Sequence, residues 1–112
     1  MPPDTSLDVV IDGDIARASV RRAHARRLCE GHFPGDPIVP GAFLTELMAD
    51  VAAALFAGDA RLVEIERVAF VARVTPEAPI VVVARREGPL RATAEIRTRG
   101  TCAAHAALRF GA

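Results

Sequence analysis

The apolar positions of this chain change their period twice. Leu7, Val9, Val10 and Ile11 form a short run that ends at Asp12-Gly13, a dipeptide suited to a hairpin because both positions tolerate positive φ. A second strand is expected from about Ile15 to His24. Between Leu28 and Gly41 three prolines and three glycines erase any period, which predicts a shaped loop. Ala42 to Ala57 then sets Leu44, Leu47, Met48, Val51 and Leu55 at helical spacing with no proline, and Gly58 is a suitable stop. Such a helix has roughly 16 residues and a length of about 24 Å. Phe43, Ala52, Ala53, Ala54 and Phe56 widen its apolar stripe beyond what a surface helix needs, so it should be wrapped.

Everything after the helix reads as strand. Leu62 to Val74 and Ile80 to Arg86 are candidates, and Leu90 to Thr98 alternates with Leu90, Ala92, Ala94 and Ile96 on one face. After Gly100 a last strand alternates through Cys102, Ala104, Ala106, Leu108 and Phe110, which makes a final hairpin. The order is two strands, one buried helix, then about four strands. An antiparallel sheet of about five to six strands curled around one long helix, in the α+β class, satisfies it. No repeat or linker interrupts residues 1–112, so one domain is expected, with residues 1–6 a loose arm.

Composition narrows the function. Fourteen basic and fourteen acidic side chains cancel, so no net field draws the chain to nucleic acid or an anionic membrane. Every basic residue is Arg; without Lys, Schiff-base chemistry and a P-loop drop out. No clustered His/Cys ligand set and no Gly-rich dinucleotide turn is present, so neither a metal nor an organic cofactor is expected. Cys29 and Cys102 read as reduced thiols and not as a disulfide. The five-residue apolar run at the start is too short for a leader or a span, and a cytoplasmic location is expected.

The loop holds the chemistry. Gly31-His32-Phe33-Pro34-Gly35-Asp36-Pro37-Ile38-Val39-Pro40-Gly41, with Glu46 following on the helix, closely resembles the active-site segment of the 3-hydroxyacyl-acyl carrier protein dehydratases, which have the hot-dog fold. The resemblance implies that His32 is the catalytic base, that Glu46 is its acidic partner, and that Glu at this position marks the long-chain, non-isomerising branch. It also implies that the Pro40-Gly41 step carries the amide that polarises the thioester carbonyl, and that acyl carrier protein delivers the substrate. Pairing of two domains edge to edge would set His32 of one chain against Glu46 of the other, in a homodimer or an oligomer of dimers. Family members usually carry Gln one turn after the acid, where this chain has Asp50.

These residues suit removal of water from a 3-hydroxyacyl thioester. A His serves as base near neutral pH because its ordinary pKa is about 6.5. Glu46, on an apolar helix, is expected to be buried and thereby kept protonated to donate, and Asp50 at i+4 should push it further toward neutrality. The amides of Gly41 and Ala42, at the positive end of the helix dipole, would hold an enolate oxygen. Phe33, Phe43, Leu47, Val51 and Phe70 either line an acyl tunnel or belong to the core. His24 and His105 read as core or surface histidines, and Cys29 as a small buried hydrophobe. Arg21, Arg22, Arg26 and Arg27 either greet an acidic carrier protein or form a solvated strand face. Two alternatives share the fold: a hot-dog thioesterase, and a non-catalytic subunit that binds acyl chains or stabilises an active sister.

Overall fold

The computed structural model describes residues 7–29, 38–56, 58 and 60–111. A short hairpin opens the chain, with β1 at Val10–Asp12 and β2 at Ile15–Val20. Gly13 sits at φ 60° between them, where a side chain would be strained. Next come two helices, α1 at Arg22–Cys29 and α2 at Gly41–Ala53. Four strands complete the chain: β3 at Arg61–Phe70, β4 at Ile80–Gly88, β5 at Arg91–Thr98 and β6 at Thr101–Gly111.

All six strands join one antiparallel sheet in the order β1-β2-β4-β5-β6-β3. The expected α+β hot-dog architecture is the one found. Its inner face is built by strict alternation: Ala16, Ala18 and Val20 on β2; Ile80, Val82 and Ala84 on β4; Ala92, Ala94 and Ile96 on β5; Ala104, Ala106, Leu108 and Phe110 on β6. Most of these are Ala or Val, which leaves room for α2 to lie close. The helix fills that room with Leu44, Leu47, Met48, Val51 and Ala52, all buried.

Three sequence expectations need correction. The stretch from Arg21 to His24 does not continue β2; it enters α1, whose buried residues His24, Ala25 and Cys29 follow a helical period. Ala, Arg and Leu lack the β-branching that would favour a strand, so the local propensity agrees. Arg22, Arg26 and Arg27 of the arginine cluster therefore belong to a helix, with Arg21 just before it, and none to a strand face. Second, α2 loses its regular hydrogen bonds after Ala53, and the amides of Ala54, Leu55 and Phe56 turn back to carbonyls three residues earlier, at 3.0 to 3.2 Å. Third, β3 stops at Phe70 and not at Val74, and it contains two bulges, between Leu62 and Glu64 and between Ile65 and Arg67. The expected arm of residues 1–6 lies outside the described residues.

Burial also shows what the sheet leaves uncovered. On α2, Ala42, Glu46 and Asp50 are exposed and Ala49 is only half-buried, so one stripe of the helix faces away from the sheet. On the sheet margin, β3 exposes Val63, Ile65, Val68 and Phe70. Among the described residues no helix is long and apolar enough to cross a membrane.

Candidate active site

Two helices form the walls of a cleft of ≈ 310 Å³. His24 and Leu28 come from α1, and Phe43, Glu46, Leu47 and Asp50 come from α2. Glu46 and Asp50 are one helical turn apart, which places both carboxylates on the same side. The expectation that Glu46 is buried does not hold within the chain: it is exposed, because the sheet packs on the opposite side of the helix. Asp50 has a raised carboxyl, lifted above its ordinary 3.8 first by partial burial in the cleft and then by the charge of Glu46. Desolvation among the cleft walls outweighs the like charge next door.

His24 is the residue that sequence reasoning passed over. It is 6 % exposed and stands in the wall opposite the two carboxylates. Its signal was the spacing of His24, Ala25, Leu28 and Cys29, which reads as one face of a helix once the strand assignment is set aside.

A second cavity of ≈ 270 Å³ opens at the start of α2, lined by Ile38, Val39, Gly41, Leu44, Phe70, Ala72, Arg73 and Val74. Pro40 caps the helix without a side-chain bond, and its carbonyl accepts from the amides of Phe43 and Leu44 at 3.0 and 3.1 Å. Helix geometry leaves the preceding amides, those of Gly41 and Ala42, as open donors of the first turn. The amide of Val39 donates to the carbonyl of Val74 at 2.8 Å, which ties the entry of α2 to the segment after β3. Gly41 lets the Phe70 ring lie against the start of α2: a Cβ there would stand 2.9 Å from Cζ of Phe70 and displace the ring.

The expected site residues thus fall into groups. Phe43, Glu46, Leu47 and Asp50 share the cleft; Gly41 and Phe70 meet in the second cavity; Ala42 is exposed on the first turn between them; Val51 is in the core. His32 and Phe33 lie outside the described residues. His105 is on the outer face of β6, opposite Glu95 of β5.

The model of the ApeI-like family, described as ApeI dehydratase, matches residues 10–106. The chain belongs to this dehydratase family. The matched span runs from β1 into β6 and includes both helices, the cleft and the second cavity. Among solved structures, the dehydratase heterocomplex ApeI:P from Xenorhabdus doucetiae superposes with a TM-score of 0.78 at 17 % identity, covering 96 % of this chain and 99 % of that one. The smu.793 protein of Streptococcus mutans, bound to acetyl CoA, gives 0.73 at 10 % identity, with 94 % and 86 % covered. The E. coli PaaI protein of the phenylacetic acid degradation operon gives 0.72 at 14 %, with 95 % and 78 % covered. At these identities the superpositions establish the fold alone. No curated protein matches the sequence.

Proposed function

We propose that this member of the ApeI-like dehydratase family removes water from a 3-hydroxyacyl thioester carried on acyl carrier protein, giving the trans-2-enoyl thioester. The observation that carries the reading is the placement of Glu46 in an open cleft on α2, five residues after Gly41 begins the helix, within a chain whose family is that of a dehydratase.

In this reading the imidazole of His32 takes the proton from the carbon next to the thioester carbonyl. The enolate oxygen accepts hydrogen bonds from the Gly41 and Ala42 amides, at the positive end of the α2 dipole. Glu46, in its protonated form, gives its proton to the departing hydroxyl, which leaves as water. Phe33, Phe43, Leu47 and Phe70 contact the acyl chain. The exposed position of Glu46 fits a site completed by a second chain: a partner laid against the uncovered stripe of α2 would bury the carboxyl and bring its own His32 to it. The β3 margin, with Val63, Ile65, Val68 and Phe70 exposed, supports edge-to-edge pairing as the mode. The exposed Arg22, Arg26 and Arg27 on α1, the helix that forms one cleft wall, suit an acidic carrier protein.

Incubation of the purified protein with 3-hydroxyacyl carrier protein and, separately, with the enoyl product tests the reading. Interconversion of the two is expected. Release of free acid would identify a thioesterase instead, and no change would identify a non-catalytic subunit. One observation favours a variant of the last reading: the Xenorhabdus doucetiae structure is a heterocomplex, so the chain completing the site here would be a different protein. Repeating the incubation with such a partner added separates a homodimeric enzyme from half of a heteromeric one.

A further inference from the structure

The outer face of the sheet, remote from α2, carries a second concavity, of ≈ 290 Å³. Strand register explains how it is made. Arg85 of β4 pairs with Thr93 of β5, Thr93 with Ala107 of β6, and Ala107 with Arg67 of β3. The row therefore reads Arg, Thr, Ala, Arg, two long cations flanking two small residues. Three inter-strand steps separate the arginines, about 14 Å at ~4.8 Å per step. The next row reads Val83, Glu95, His105, Ala69 and closes one side. Side chains here alternate with Ala84, Ala92, Ala94 and Ala106, whose side chains are buried on the inner face while Ala94 and Ala106 also contribute to the floor, so the concavity opens away from the acyl cleft.

Charge in this depression is unbalanced. Its neighbours Arg91 and Arg109 are neutralised by Glu66 and Glu64, at 2.7 and 2.9 Å. Among the described residues neither the Arg67 nor the Arg85 side chain has an ion-pair or hydrogen-bond partner. Glu95 is the carboxylate of the lining, and Arg97 already engages it at 3.5 Å. Two guanidiniums and an imidazole thus converge on rigid strands over a floor without bulk, beside the Thr93 hydroxyl, which donates to Glu87 at 3.0 Å.

We infer that this concavity binds a diphosphate group, as a site separate from the thioester cleft and independent of the reaction assigned to it. A diphosphate offers oxygens at both ends, which suits two cations held apart, and Arg pairs with phosphate through paired N–H donors. The group is free pyrophosphate or part of a nucleotide.

Titration calorimetry at low salt with inorganic pyrophosphate, and in parallel with ADP, tests this in the full chain. Saturable binding of one ligand per chain is expected, weakening as salt rises. Tighter binding of ADP than of pyrophosphate would assign a nucleotide as the source, and the reverse would assign the free anion. Arg67→Ala and Arg85→Ala should each lower affinity about tenfold, and the pair about a hundredfold, as expected for hydrogen bonds to an ionised group. Glu95→Gln should act in the opposite sense and strengthen binding. All three positions are on the outer face, and circular dichroism of each variant should match the parent. Absence of saturable binding at millimolar pyrophosphate and ADP, or unchanged affinity in the double variant, would overturn the proposal.

Discussion

At the residue scale the two carboxylates of α2 share the uncovered face of the helix. Asp50 holds its proton above the ordinary carboxylate range, through partial burial in the cleft first and the Glu46 charge second. A carboxyl raised on folding binds its proton better in the folded chain, so stability falls as pH climbs from about the ordinary 3.8 through the raised value, and the loss is complete above it. Asp50→Asn should accordingly be more stable than the parent at pH 7, with the difference vanishing at pH 3, as read from chemical denaturation at both pH values. Equal stability at pH 7 would show that the carboxyl carries no such cost. For the reaction, His32→Ala and Glu46→Gln should each lower turnover by about 10² to 10⁴, the usual contribution of a general acid or base. The melting curve of Glu46→Gln should stay with the parent, because an exposed carboxylate contributes within about 0.5 kcal/mol.

At the element scale, α2 has two faces with different duties, and mutation should separate them. Met48 is fully buried against the sheet, and Met48→Ala should destabilise by about 2–5 kcal/mol through lost contacts and a residual cavity. Denaturant midpoints compare this with Glu46→Gln on the opposite face; similar losses in both would mean that the uncovered stripe is packed after all. The start of the same helix depends on Gly41. Its replacement by Ala gains helix propensity, about 1 kcal/mol, but sets a methyl 2.9 Å from the tip of the Phe70 ring. Phe70 is half exposed and is able to swing. Gly41→Ala should therefore keep its fold while losing turnover, since the ring shares the cavity at the first-turn amides. A destabilised but fully active variant would count against that role.

At the scale of the whole molecule the unfinished surfaces matter most. β3 ends the sheet with a long edge and four exposed large apolar side chains, whereas β1 at the other margin has three residues. An edge of that kind invites pairing. Sedimentation of the purified chain should show a dimer, and Val68→Lys should shift it toward monomer with loss of turnover. If the site is shared between chains, inactive His32→Ala and inactive Glu46→Gln proteins should regain activity on mixing, since some mixed dimers hold one intact pair. A fully active monomer, or no recovery in mixtures shown to exchange subunits, would refute the shared site.

Periodicity alone determined most of the architecture. Two-residue alternation along β4, β5 and β6 and the 3.6-residue spacing of Leu44, Leu47, Met48 and Val51 reflect which side of each element must leave water, and that requirement is written locally. The loop motif with Glu46 likewise points to a dehydratase by its residues alone. What the sequence left open depended on contacts between distant segments. Whether Arg21 to His24 continues a strand or turns into α1 is settled by packing of His24, Ala25 and Cys29, and that helix is what sets His24 beside the carboxylates. That Glu46 and Asp50 both stay exposed follows from the side of α2 that the sheet covers, not from the apolar character of the helix as a whole. The row of Arg85, Thr93, Ala107 and Arg67 exists only through the register of four strands. Sequence separation hides such neighbours, because hydrogen-bonded pairing joins residues that the local period treats as unrelated.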